Sequence, residues 1–423
     1  MHSRHPAPRR STLSLLTTAV LGGGLLVASL TGCNGKRDKD FNEEAKQAAT
    51  DRWHALRSQV HLDMAEQQFE AGQLEKAEAT VREALSVDED NPGLFELAGR
   101  IKLEQGELEY AFKLFTQAIV YQDLPDAVPD ADPYYYQGII LQRWQRGEEA
   151  LERYQAARRL EPSNPTRLLA VAEMLVELDR MDEAVEKLEA KLDYFAETPS
   201  LRVALGHIYN LQGDPDRAAD AYADALLLDE ENTLIRESMA KALLKAERLE
   251  QGIVELRLLL EMPGYAQRTD LMRTLAGAEL RAGRVAEAKQ VYVEVTRIDG
   301  DNTNDWIKLG ELAWRLEDVG GTLIAANRVM ELAPSRHEGY LMAGMVWQKR
   351  ERLVDALRLY DRAAELSADD PRPLLMRGLA LQRAGKPAAA ERAYQRALER
   401  RPGDARAKRL LAGIQNRQAN AGS

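Results

Sequence analysis

Residues 199–232 read PSLRVALGHIYNLQGDPDRAADAYADALLLDEEN, with Gly206 at the eighth place, the turn signal Gly213 near the middle, Ala218 at the twentieth, Tyr222 at the twenty-fourth and Ala225 at the twenty-seventh. The same spacing recurs on both sides of this stretch. Units of 34 residues begin at Ser58, Pro92, Ala131, Pro165, Pro199, Thr233, Thr269, Thr303, His337 and Pro371, and only the spacers 126–130 and 267–268 break the count. The eighth place holds Ala65, Gly99, Gly138, Ala172, Gly206, Ala240, Ala276, Gly310, Gly344 and Gly378, every one small. The twenty-fourth is large in most units, as in Phe115, Tyr154, Tyr222, Tyr292, Tyr360 and Tyr394. Two antiparallel helices approach closely only where both present small side chains, and large ones fill the space beside the crossing. Gly72, Gly106, Gly213, Gly283 and Gly385 mark turns between the helices, and Pro162, Pro334 and Pro402 stop second helices at one position.

This period with these residue types resembles the tetratricopeptide repeat. The resemblance covers residues 58–404 and implies an all-α, right-handed superhelical solenoid of about ten stacked helix-turn-helix units. A lone unit leaves an apolar face bare, so neighbours stack and the ends need caps. Residues 41–57 are expected as an N-terminal lead-in helix, and residues 405–423 as a C-terminal capping helix and tail. Two departures stand out. In the third unit the turn glycine, Gly147, comes two places late, and four units carry an acid where glycine is common: Asp179, Glu247, Glu317 and Glu351. The acidic, proline-rich run 123–133 predicts a local change of superhelical twist.

The first 32 residues form an address. Arg4, Arg9 and Arg10 precede an apolar run from Leu13 to Leu30, the layout of a secretory signal. The run ends in Leu30-Thr31-Gly32-Cys33, which resembles the lipobox of bacterial lipoproteins. That resemblance implies cleavage before Cys33, lipidation of Cys33, and a tether over residues 33–40. Asn34, rather than Asp, follows the cysteine, which implies an exported, lipid-anchored protein on the periplasmic face of the outer membrane in preference to the inner one. An uncleaved signal anchor is the alternative, although the run is short for a spanning helix. Cys33 is the one cysteine, so the chain forms no intramolecular disulfide and no cysteine-based zinc site.

Charge and motifs bound the function. From Cys33 onward the chain carries 54 basic and 68 acidic residues, net -14. Such a balance does not suit nucleic acid, whose phosphates are met by Lys and Arg. Residues 371–423 run the other way, with twelve basic residues against three acids. Arg396, Arg400, Arg401, Lys408 and Arg409 therefore make either a solvated cap or a contact for an anionic polymer or acidic protein. Phosphate-binding Gly-Lys-Ser/Thr, His-Glu-x-x-His and Gly-x-Ser-x-Gly motifs are absent from the sequence, and no cofactor, metal or catalytic residue is expected.

The repeat resemblance further implies a concave groove lined by places two, five, nine and twelve of the first helices. The candidates there are Tyr135, His207, Asn210, Trp314 and Met345, beside Leu169, Val203, Arg273, Ile307, Leu341 and Leu375. A mixed apolar and aromatic groove suits a protein or peptide segment. The expected function is a membrane-anchored scaffold in cell-envelope assembly or secretion, of the pilus, exopolysaccharide-export or outer-membrane biogenesis type. An adaptor for peptidoglycan hydrolases or proteases is the alternative, and a non-catalytic subunit of a glycosyltransferase-type system a remote one. Because the repeats run to residue 404 of 423, no catalytic domain is expected.

Overall fold

The computed structural model describes residues 37–122 and 128–421, with helices and no strand among the described residues. The signal, Cys33 and residues 33–36 of the tether lie outside them, as do residues 123–127 of the acidic run, whereas residues 37–40, expected as tether, are helical. No described helix is long and apolar enough to cross a membrane.

The chain divides into two bodies, up to Glu107 and from Leu108. The first holds α1 (Arg37–Glu70), α2 (Leu74–Leu85) and α3 (Pro92–Glu104). Helix α1 passes through Ser58 without a break, so the expected lead-in helix and the first helix of the first unit are one element. Its C-terminal half presents Ala65 to Ala77, Val81 and Ala84 of α2, and α3 adds Leu94, Leu97 and Ile101.

The second body begins with α4 (Leu108–Gln122) and continues as eight helix pairs. These are α5 (Asp132–Arg143) with α6 (Gly147–Leu160), α7 (Pro165–Glu177) with α8 (Met181–Glu189), and α9 (Pro199–Gln212) with α10 (Pro215–Leu228). Next come α11 (Thr233–Lys245) with α12 (Leu249–Glu261), α13 (Thr269–Arg281) with α14 (Val285–Ile298), and α15 (Thr303–Arg315) with α16 (Val319–Leu332). The last pairs are α17 (His337–Lys349) with α18 (Leu353–Leu366) and α19 (Arg372–Arg383) with α20 (Pro387–Arg400), and α21 (Ala405–Ala421) follows. Within this body each helix packs on its chain neighbours, and α7 also touches α9, α15 touches α17 and α17 touches α19, so the pairs stack as a solenoid.

Local chemistry sets the boundaries. At the last place of several units a short polar side chain caps the next first helix: Asn91 accepts from the Leu94 amide (3.2 Å), Asn164 from Thr166 (3.0 Å), Asn232 from Leu234 (3.1 Å) and Asn302 from Asn304 (3.1 Å). Pro162, Pro334 and Pro402 stand two residues past the ends of α6, α16 and α20. Between the helices of every unit, place fifteen takes the left-handed conformation. Gly72, Gly106, Gly213, Gly283 and Gly385 do so at φ 70–80°, and Gln145, Asp179, Glu247, Glu317 and Glu351 at 57–61°. The third turn is therefore not displaced: Gln145 makes it, and Gly147 is the first residue of α6.

Small-to-large pairing locks the crossings. A methyl group at Gly138 would stand 2.5 Å from a ring carbon of Tyr154, and one at Gly206 or Gly344 would stand 2.6 Å from Tyr222 or Tyr360. The buried tyrosine then needs a hydrogen-bond partner. Place twelve supplies one: Tyr154 donates to Gln142 (2.8 Å), Tyr360 to Gln348 (2.7 Å) and Tyr394 to Gln382 (2.7 Å). Where the twenty-fourth place is Leu188 or Leu256, the eighth is Ala172 or Ala240 instead.

Candidate functional site

Two hollows open along the first helices of the second body. One spans α7, α9 and α11 as adjoining cavities of about 540 and 510 Å³ that share Ser200, Val203 and His207. The other, of about 360 Å³, is formed by α15, α17, α19 and α21. Its floor comes from places five and nine of successive units, which face one way because helical neighbours lie three or four apart. Ile307, Leu341 and Leu375 are buried at the base, while Trp314, Met345 and Met376 are half-buried and present their side chains to the opening.

Charged groups rim this second cavity, and most are already matched. Glu311 pairs with Lys308 at 3.0 Å, Glu338 with Arg336 at 2.7 Å, and Arg372 with Asp370 at 2.7 Å. Burial pushes the Glu338 carboxyl up, but the Arg336 hydrogen bond and its own backbone amide outweigh that and hold it below the usual range. The hydrogen bond to Asp370 raises Arg372 further. Arg315 and Arg406 are exposed lining residues with no acidic partner within 4 Å among the described residues. The Lys349 ammonium sits 5.6 Å from the centre of the Trp314 ring.

The structure sorts the candidates. Trp314 and Met345 meet in one cavity. His207 is exposed in the first hollow, its Nδ1 3.0 Å from the Tyr222 hydroxyl. Asn210 is not a free groove residue: its amide donates to the same hydroxyl at 3.3 Å, so place twelve again meets the tyrosine, here as donor where the glutamines accept. Tyr135 is half-buried among Tyr136, Tyr154 and the Arg167 guanidinium, which lies 4.4 Å from its ring centre. Its ring serves inter-repeat packing. Arg273 is likewise engaged, bound to Asp299 at 2.6 Å and to the buried Asp305 at 2.7 Å.

The basic end is sorted in the same way. Arg396, Arg401, Lys408 and Arg409 are exposed, whereas Arg400 donates to the carbonyls of Ala364 (2.6 Å) and Asp370 (3.1 Å) and ties α20 to the end of α18. Arg315, Arg372 and Arg406 at the cavity were missed from sequence: Arg315 stands at place thirteen and Arg406 beyond the last unit, outside the places that the repeat resemblance assigns to the groove, whereas Arg372 stands at place two and was not singled out. Another hollow, of about 590 Å³, lies on the second-helix side between α10 and α12 and was missed too. Its walls include the exposed Leu227 and Val254, and the Arg236–Glu255 pair at 2.5 Å crosses it. Among the described residues no group of three or more His, Cys, Asp or Glu could hold a metal ion.

The tetratricopeptide repeat model matches residues 137–193, 176–233 and 375–421, so the chain contains tetratricopeptide repeats (TPRs), a module that in general mediates protein–protein interactions. No curated protein matches the sequence. Among solved structures the chain is similar to YrrB, described as a TPR protein with an unusual peptide-binding site, at 18% identity over 41% of this chain and 88% of that one, with a TM-score of 0.34. It is also similar to the C-terminal part of a TPR repeat-containing protein from Cytophaga hutchinsonii, at 16% identity over 57% and 99%, TM-score 0.45. A third likeness is to the Cut9–Hcn1 hetero-tetramer of APC/C, at 12% identity over 83% and 95%, TM-score 0.36.

Proposed function

We propose that this protein is a membrane-anchored scaffold that grips a segment of another protein along its first helices. The observation that carries this is the cavity between α15 and α21, where Trp314 and Met345 lie half-open over a buried aliphatic base. Aromatic and methionine side chains in a concave site favour apolar partner residues and tolerate varied shapes. Lipidation of Cys33 holds the chain at the membrane in this reading, and the absence of an Asp at position 34 favours the periplasmic face of the outer membrane. The machinery served is of the envelope-assembly or secretion kind.

Two measurements test the two halves. A photo-crosslinking residue at position 345 should give a discrete adduct with another protein in intact cells, and Trp314→Ala should remove it. An adduct of equal yield in the Trp314 variant, or none from the wild-type background, refutes the groove. Metabolic labelling with a fatty acid should mark the wild type and not Cys33→Ser. Labelling that persists in that variant refutes the anchor and leaves the groove standing.

A further inference from the structure

We infer that the partner segment taken by the cavity between α15 and α21 is acidic as well as apolar. This rests on the scaffold reading above and narrows it to a class of ligand. The apolar half of the requirement comes from Trp314, Met345 and Met376, half-buried side chains whose surface in the cavity is mainly apolar. The acidic half comes from an imbalance of charge. Both glutamates on the rim have cationic partners of their own, Lys308 and Arg336, and Arg372 has Asp370. What is left uncompensated is Arg315 and Arg406, two exposed guanidiniums on opposite elements of the cavity, α15 and α21.

The surroundings reinforce the sign. From Pro371 to the end the chain carries twelve basic residues and three acids, although the rest of the chain after Cys33 is strongly acidic. A ligand approaching this end meets a positive field, whereas one approaching elsewhere meets a negative one. A planar guanidinium can take a carboxylate through two parallel hydrogen bonds, which adds geometric specificity to that attraction. A polyanion without apolar side chains would leave the floor uncovered, and a neutral apolar segment would cover it while leaving two arginines without an acidic partner. The segment that satisfies both is a peptide in which acidic side chains flank one or more large apolar ones. Arg372 and Arg406 bring the basic end into the aromatic groove, although Arg396, Arg400, Arg401, Lys408 and Arg409 do not line it.

The experiment uses the full chain and a short fluorescein-labelled synthetic peptide of alternating Asp or Glu with Leu and Phe. Comparison probes are its Asn/Gln twin, its Lys twin, and oligoglutamate of the same length. Binding is read by fluorescence anisotropy at low and physiological salt. The acidic–apolar peptide should bind tightest and weaken with salt, and the Asn/Gln twin should bind about tenfold more weakly. R315E/R406E should lose about tenfold for the acidic peptide and gain for the Lys twin, while R315K/R406K keeps the wild-type order. Circular dichroism of each variant checks that the helices persist. Equal binding of the Asn/Gln twin, or no effect of R315E/R406E while Trp314→Ala abolishes all binding, sinks the acidic requirement and spares the scaffold reading. Oligoglutamate binding as tightly as the mixed peptide sinks the apolar requirement and makes this a polyanion site. Failure of every probe to bind the wild type overturns both.

Discussion

Place fifteen of each unit is held at positive φ, yet only half of these residues are glycine. A side chain in the left-handed region costs about 1–2 kcal/mol through the approach of Cβ to a carbonyl oxygen, which glycine avoids. The conformation persists in the other five because the turn's hydrogen bonds demand it. At Glu247 the next amide, Arg248, reaches back to the Leu243 carbonyl at 2.9 Å, closing the end of α11. Glu247→Gly should therefore stabilise the chain by about 0.5–1 kcal/mol, the gain being trimmed by the greater freedom of unfolded glycine. Denaturant titration against Glu247→Ala separates the causes, because alanine keeps the Cβ and should gain nothing. A second test concerns the crossing. Gly344→Ala sets a methyl group 2.6 Å from the Tyr360 ring and should cost about 1–3 kcal/mol. Adding Tyr360→Leu should recover part of that loss, since units with Ala240 or Ala172 carry Leu256 or Leu188 opposite. If the double variant is as unstable as the sum of the singles, the two places are not coupled.

At the scale of the helix pair, tyrosine, glycine and a place-twelve glutamine act together, and their chemistry gives a pH signature. Burial pushes Tyr394 up to about 12 and raises Tyr154, Tyr222 and Tyr360 as well. A phenol whose folded pKa is raised stabilises the fold fully below its unfolded value near 10 and loses that contribution as pH climbs through the window above it. Each such tyrosine should thus withdraw at most about 1.4 kcal/mol per pH unit between roughly 10 and 12. Tyrosinate absorbance should lag for these residues and rise together with helix loss, and Tyr360→Phe should flatten the alkaline decline. A smooth titration of every tyrosine near pH 10 with helix content intact would contradict the packing. Much at this scale was legible in sequence: the period, the small eighth place and the proline stops all follow from steric rules that act within one unit. The use of Asn210 was not, because a polar residue at place twelve reads equally as a ligand contact or as the partner of a buried hydroxyl. The continuity of α1 was legible but not used: no glycine or proline stands between Lys36 and Ala71 to end a helix at Ser58.

For the second body as a whole, contacts run mainly between chain neighbours, so energy is shared between adjacent pairs and little beyond them. That same locality explains what the sequence hid. The cavity between α15 and α21 draws lining residues from three successive units and the helix after them, and no pattern inside one unit places Arg406 beside Trp314. Arg400 likewise looks like any exposed cation of a basic end until the carbonyls of Ala364 and Asp370 are found within its reach. Stability should follow the contact pattern. Gly206→Leu forces a branched side chain into space where even a methyl group would meet Tyr222, and should cost about 1–3 kcal/mol or more. In a nearest-neighbour stack that cost appears first as local opening. Amide hydrogen exchange should accelerate in α9 and α10, less in α8 and α11, and hardly at all in α17 to α21. The α15–α21 cavity should accordingly keep its affinity for a bound peptide in this variant. Exchange that rises equally from α4 to α21, with loss of that affinity, would mean that the body unfolds as one cooperative unit and that coupling between pairs exceeds the stability within each.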